Sequence, residues 1–295
     1  PSPPPPAHPP PRPPQRRRPP HLAPRPAADP FSPPAAENLL HSPTTKITVV
    51  IATRLQPDRL GYLTALHESL TRQSVSWEAV IALDGANPSS LPEPLADDPR
   101  VRVVVLPRPV GAACARNLAL GDIRTEYVNW ADDDDEFTDD AMAVRLRTLE
   151  TTGVGWCAGY SQDLYPDGTT SLWRCPTPPG WHAAGNVWTY WKNPEDTIPI
   201  GPTTILARTD LVRAAPMGGL VQGEDYMAAI GVTCLAPGIM LPVPVYRYRK
   251  HPGQMTRQDS YDVLEARARR HAWHYGRSLR AALSTRETSD AAGAV

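Results

Sequence analysis

Between residues 46 and 131, short apolar runs alternate with segments of helical period. Ile47-Thr48-Val49-Val50-Ile51-Ala52 is nearly continuous and β-branched, the pattern of a strand buried on both faces. Leu60, Leu63, Leu66 and Leu70 then recur at helical spacing across residues 58–73, which predicts a helix with one apolar stripe. Residues 79–83 read as a second strand, halted by Asp84-Gly85-Ala86-Asn87, and residues 101–106 as a third. Gly111 opens a helix of small residues over 112–120, with Gly121 placed to end it. Residues 127–131 read as a fourth strand, and Thr138 is placed to cap a helix running to about Glu150, with Asp139 and Asp140 in its first turn. This alternation predicts an α/β fold: a mostly parallel central sheet flanked by helices and joined by right-handed crossovers. In such sheets ligands bind beyond the carboxyl ends of the strands. Thr53, Asp84 and Asp132 each stand at such an end, so they are expected to meet in one crevice.

The second half is less regular. Residues 154–161 read as a strand, and Tyr165-Pro166-Asp167-Gly168 as a turn between hairpin strands. Residues 173–191 carry Trp173, Trp181, Trp188 and Trp191 among Pro and Gly and read as loops. Residues 203–207 read as a short strand, and Gly223-Glu224-Asp225-Tyr226 opens a helix to about Ile230. The strand expected over 239–248 contains Pro242 and Pro244, which argues for a sheet edge. A long basic helix is expected from Tyr261 to about Ala282, with Leu264 and Leu279 on its apolar side and His271 and His274 on a solvated face.

Composition divides the chain. Roughly half of its 37 prolines lie in residues 1–44, beside Arg16-Arg17-Arg18, so that segment is expected to be an extended, disordered tail. Residues 45–255 are expected to form the main folded domain and 256–295 a terminal helix and tail. The whole chain has 295 residues and a net charge of −1, which gives no global attraction to nucleic acid or to an anionic membrane. No apolar run approaches the roughly 18 residues of a transmembrane helix, and no secretory leader is evident, so a cytoplasmic protein is expected. Cys114, Cys157, Cys175 and Cys234 are scattered without a C-x-x-C pair and read as thiols, not as a disulfide framework or a zinc site.

The densest chemistry lies after the fourth strand, where Asp132-Asp133-Asp134-Asp135 stand in a row. Packed carboxylates repel, so a fold that collects them needs a compensating cation or a helix N-terminus. Hard oxygen ligands suit Mg²⁺ or Mn²⁺, which are held by one or two carboxylates plus substrate phosphates. On the run alone, a metal site and an acidic helix cap are equally good readings.

Five features in order resemble the inverting GT-A glycosyltransferases of family 2: a strand ending in Ala52-Thr53, a strand ending in Asp84-Gly85, Gly111-x-x-x-x-Arg116-Asn117, the Asp-x-Asp at 132–134, and Gly223-Glu224-Asp225. The resemblance spans residues 46 to 253 and is firmest in its first half. It implies metal-dependent transfer of a sugar from a nucleotide-sugar, a UDP-sugar first among them, to an acceptor hydroxyl. By resemblance Asp134 ligates Mn²⁺ or Mg²⁺ with His251 in reach. Thr53, Arg54, Asp84, Arg116, Asp132 and Asp133 surround the nucleotide. Asp225 is the general base, and Glu224 is its fallback or an acceptor partner. Arg247, Arg249 and Lys250 could meet phosphate. A salt bridge to the aspartates is the structural alternative for Arg116, helix N-terminal charge that for Glu224 and Asp225, and a lone surface histidine that for His251.

The departures are specific. Many family members carry Pro-Thr-Tyr-Asn after the first strand; here Ala52-Thr53-Arg54-Leu55 replaces the stacking aromatic by Arg54. Gln-x-x-Arg-Trp, the signature of processive synthases, is absent, which favours transfer of single sugars. The alternatives are a sugar-phosphate nucleotidyltransferase, disfavoured because Thr53-Arg54-Leu55-Gln56 is not a Gly-rich loop, and a non-catalytic nucleotide-sugar-binding module, disfavoured by the intact Glu224-Asp225 pair. No G-x-G-x-x-G follows the first strand, so a dinucleotide dehydrogenase is not indicated. The acceptor is not legible, because residues 156–200 resemble nothing recognisable.

Overall fold

The computed structural model describes residues 45–220, 222–257 and 261–293; the proline-rich stretch over 1–44 lies outside them. In the first half the elements are β1 (Ile47–Thr53), α1 (Leu60–Thr71), β2 (Trp77–Asp84), the one-turn α2 (Glu93–Ala96), β3 (Val101–Leu106), α3 (Ala112–Ala119), β4 (Tyr127–Asp132), the short β5 (Glu136–Phe137) and α4 (Ala141–Thr152). The second half adds β6 (Trp156–Leu164), β7 (Thr170–Trp173), β8 (Gly180–His182), β9 (Leu206–Arg208), α5 (Thr209–Ala214), α6 (Glu224–Leu235), β10 (Gly238–Arg249) and α7 (Tyr261–Gly293). Among the described residues the strands form one sheet in the order β3-β2-β1-β4-β9-β6-β10-β5, with β7 added beside β6 and β8 beside β10. β3, β2, β1 and β4 are parallel; β9 enters antiparallel to both β4 and β6.

The alternation of side chains across the pleat explains the layers. Ile47, Val49 and Ile51 face Leu63, Leu66 and Leu70 of α1. Val50 and Ala52 face the opposite side, toward Ala113, Ala115 and Ala119 of α3. Every residue of β1 and β2 is buried, as the unbroken apolar runs require. β3 is the outer strand and leaves Val103 and Val105 39% and 51% exposed, while Arg102 on its other face pairs with Glu78 at 2.6 Å.

Three local expectations are corrected. α3 passes at Leu120 into a 3₁₀ turn over Leu120–Asp122, so Gly121 lies inside that turn and is not a helix cap. Thr138 does not cap α4: its hydroxyl donates to the Pro244 carbonyl, and the helix starts after Asp140. β10 is not an edge strand but runs between β6 on one side and β8 and β5 on the other. Its prolines are accommodated because the register with β6 shifts between Met240 and Pro244 and again before Tyr246, so the missing N–H groups fall at irregularities of the ladder. Within the stretch expected as loops, residues 173–191 contain the end of β7, β8 and a 3₁₀ turn, Asn186–Tyr190. Trp188 and Trp191 are core residues there, whereas Trp181 is 62% exposed.

α7 packs on α6, and the described residues form one compact unit. Among the described residues no helix is long and apolar enough to cross a membrane.

Two glycines mark opposite packing limits. A Cβ on Gly238 would stand 2.0 Å from ring atoms of the buried Trp156, whereas one on Gly61 in α1 meets nothing within 4 Å. Gly238→Ala is therefore expected to cost about 3 kcal/mol in urea unfolding. Gly61→Ala should stabilise by up to about 1 kcal/mol through helix propensity.

Candidate active site

β1 and β4 run side by side with Ala52 opposite Asp132, so Thr53 and the aspartate run leave the sheet at the same level. The chain then turns within Asp132–Asp135, where the Asp135 N–H donates to the Asp132 carbonyl at 3.4 Å, and enters β5 against β10. The turn points the four carboxylates in different directions, and each meets its own partners. Asp132 pairs with Arg116 and keeps 37% of its side chain exposed. Asp133 accepts from the Thr53 hydroxyl at 2.6 Å and from Arg59 at 3.0 Å. Asp134 lies 2.9 Å from His251 Nε2 and 3.2 Å from Arg59 Nη1. Asp135 is fully buried; one oxygen accepts from the Arg249 N–H at 2.9 Å, and the other has no hydrogen-bond partner. Burial, reinforced by Asp134 and Asp132, holds its carboxyl well above the ordinary carboxylate range.

Arg116 is the cation at the centre. It comes from α3, is buried, donates to the Ala131 carbonyl at 3.2 Å and to Asp132, and lies 3.9 Å from Glu224. Burial works against its charge, but Asp132, Glu224 and Asp225 together hold it above its ordinary value. Glu224 and Asp225 reach it from the first turn of α6, which Gly223 opens in the left-handed region at φ +66°. Burial first, then Glu224 and Asp132, push the Asp225 carboxyl up to about 8, and burial likewise raises Glu224. Asp225 remains partly open to a cleft of about 360 Å³ whose wall also includes Asp132, Arg116, Glu224, Tyr246 and Glu265.

The other expected residues are placed as follows. Both oxygens of buried Asp84 accept backbone N–H groups, from Val110 at 2.6 Å and Gly111 at 3.1 Å, and thereby fix the loop that leads into α3. Arg54 is exposed, and the following Leu55 sits at φ +48°, the one non-glycine with positive φ among the described residues, with its N–H on the Thr53 hydroxyl at 3.0 Å. His251 is buried, not a surface histidine, with Tyr62 against its ring at 4.7 Å. Of the three cations near it, Arg249 pairs with Glu136, Lys250 with Asp163 at 2.9 Å, and Arg247 lies 3.8 Å from Glu136. Thr53, Asp133, Asp134 and His251 thus form one group, while Arg116, Asp132, Glu224 and Asp225 form another. Asp84 stands apart on the α3 loop.

Sequence reasoning missed Arg59, which bridges Asp133, Asp134 and the Gly253 carbonyl. It also missed Tyr226, Tyr261 and Glu265 in the cleft wall. The signal for Arg59 was a cation at the start of a helix that follows β1; nothing local pointed α7 at the cleft.

Asp134 and His251 offer a carboxylate oxygen and an imidazole nitrogen 2.9 Å apart. Among the described residues no three His, Cys, Asp or Glu side chains converge on a complete metal cage. The pair therefore fits an ion such as Mn²⁺ or Mg²⁺ that takes its remaining ligands from phosphate and water.

The profile of glycosyl transferase family 2 matches residues 48–202, more than half of the chain. The chain belongs to this family. The match covers the sheet from β1 and the aspartate run, and it ends before Glu224, Asp225 and His251. Among curated proteins, the mouse beta-1,4 N-acetylgalactosaminyltransferase 1 is 29% identical over 177 residues, 57% of this chain and 32% of that protein. The human protein of the same name is 31% identical over 141 residues, 48% of this chain and 25% of that one. The chain thus spans a third or less of the length of these relatives. Among solved structures, S. aureus TarS 1–349 superposes with a TM-score of 0.56 at 17% identity, covering 69% of this chain and 60% of that one. Its complex with UDP gives 0.57 at 16% identity, over 83% and 72%. At such identities the likeness is one of fold.

The raised Asp225 carboxyl has a consequence for stability. An unfolded chain releases this proton near pH 4 and the native protein near pH 8, so between these values the native state binds more protons and stability falls as pH rises. Asp225→Asn removes that slope. It should melt above the parent protein at pH 8, by more than about 1 kcal/mol in chemical denaturation, and the difference should shrink toward pH 4.

Proposed function

We propose that the chain transfers a sugar, with inversion, from a nucleotide-sugar to an acceptor hydroxyl, with a UDP-sugar as the first candidate donor. The observation that carries this is Asp225: a partly open carboxylate in the cleft whose proton affinity is raised to about 8, beside Glu224, which Arg116 links to Asp132 of the aspartate run. Family membership and the TarS structures with UDP and UDP-GlcNAc support the donor class.

The two groups of residues divide the work. Thr53, Arg54, Asp84 and Asp133 are assigned to the nucleotide, with Asp84 at the end of β2, apart from the other three. Each Asp84 oxygen keeps a second lone pair beyond its backbone N–H and can accept from a base. Asp133 is tied to Thr53 and Arg59 and so holds the crevice in shape. Asp134 and His251 would hold Mn²⁺ or Mg²⁺. When bound, the ion supplies positive charge that offsets the charge developing on the departing diphosphate.

Arg116 fixes Asp132 at the cleft and keeps Glu224 ionisable beside it. Asp225 takes the acceptor's hydroxyl proton as that oxygen bonds to the anomeric carbon; the bond from that carbon to the phosphate oxygen breaks, and the nucleoside diphosphate leaves with the electron pair. Attack opposite the leaving group inverts the centre. Glu224, buried and 3.9 Å from Arg116, is placed to orient the acceptor or to replace Asp225.

Donor turnover is tested by UDP release from a panel of UDP-sugars with Mn²⁺ or Mg²⁺. Absence of nucleotide binding in calorimetry with metal present would overturn the reading. Asp225→Asn should bind UDP normally and lose at least 100-fold in kcat; full turnover would assign the base elsewhere. The parent enzyme's kcat/KM should rise with pH through an ionisation near 8, the value at which Asp225 becomes a free base. Asp134→Ala should abolish the metal dependence of UDP affinity, and unchanged affinity would move the ion to another aspartate.

A further inference from the structure

We propose that the acceptor is an uncharged, polyhydroxylated sugar and that the cleft rejects acceptors bearing phosphate, sulfate or carboxylate; this rests on Asp225 being the base of a glycosyl transfer, so that the acceptor lies in the cleft beside it. The argument is the charge balance of the wall. Two cations line it, Arg116 and Lys250, against five carboxylates, Asp132, Asp163, Glu224, Asp225 and Glu265. Both cations are already engaged at short range, Arg116 by Asp132 and Lys250 by Asp163 at 2.9 Å. Arg269 stands behind Glu265 at 3.7 Å and offsets part of its charge. Asp225 keeps its proton near neutral pH, which leaves four carboxylates against the two cations. The balance remains negative, and among the described residues of the wall both cations are already paired.

The rest of the wall suits a sugar. Trp173, Tyr226, Tyr248 and Tyr261 add aromatic surface to the wall, of the kind on which the apolar face of a pyranose can pack. Sugar hydroxyls are donors, and ionised carboxylates are strong acceptors for them. Glu265 is the specificity-determining residue in this arrangement. It projects from α7, and the Tyr226 hydroxyl donates to one of its oxygens at 2.7 Å, with Tyr261 also hydrogen-bonding to it, so the carboxylate is held at the cleft wall. An anionic acceptor would instead set like charges together and be desolvated without a partner.

The test compares glycosides that share one ring: a p-nitrophenyl glucoside, its glucuronide and its 6-phosphate. Each is titrated calorimetrically into the UDP- and Mn²⁺-saturated protein and assayed with the UDP-sugar that turns over. The expected result is binding of the neutral glycoside, with binding of both anionic forms at least tenfold weaker and the same order in kcat/KM. Equal or tighter binding of either anionic form overturns the inference. Glu265→Gln should narrow the gap severalfold while leaving UDP affinity unchanged; an unaltered gap in a folded variant removes Glu265 from the discrimination. Failure to bind UDP at all is a separate result, which overturns the donor reading and the acceptor inference with it.

Discussion

The site depends on a buried guanidinium. Arg116 lies between two acidic groups that come from different halves of the chain, Asp132 at the end of β4 and Glu224 at the start of α6. Without a cation there, burying these carboxylates together with Asp225 would be strongly unfavourable, because charges removed from water need partners. With it, the arrangement tolerates one carboxylate of unusually high proton affinity at the cleft. A group that binds a proton near neutral pH is a useful base and a poor contributor to stability, and the same burial produces both properties.

Around this centre the four aspartates are compensated one by one and not as a block. Arg116 serves Asp132, Arg59 bridges Asp133 and Asp134, His251 meets Asp134, and the Arg249 backbone meets Asp135. The repulsion that made the run conspicuous is therefore met by the protein itself.

Much of this was legible in the chain. β1 to β4 announced themselves because strands buried on both faces read as continuous apolar runs. The aspartates, Arg116 and the Glu-Asp pair were visible as clusters of chemistry at strand and helix ends. What stayed hidden depended on tertiary approach. Arg59 shows only as a cation at the start of α1, with nothing local to tie it to Asp133 and Asp134, and Glu265 enters the cleft only because α7 folds back on α6. Local rules also misled: Pro242 and Pro244 argued for an edge, whereas register shifts let β10 run through the sheet interior. β8 and β9 are each three residues long, too short to show a period.

β10 carries a further meaning. It pairs with β5 directly after the aspartate run, its Tyr246 hydroxyl accepts from the Asp132 N–H at 3.0 Å, and the chain just past its end supplies His251 to Asp134, 117 residues away in sequence. Contacts of such long range close late in folding, after the local βα units of the first half can already exist. The parallel sheet is thus a scaffold that can assemble early, while the chemistry waits on a strand made more than a hundred residues later. The aspartates therefore keep their geometry only when that distant strand is in place.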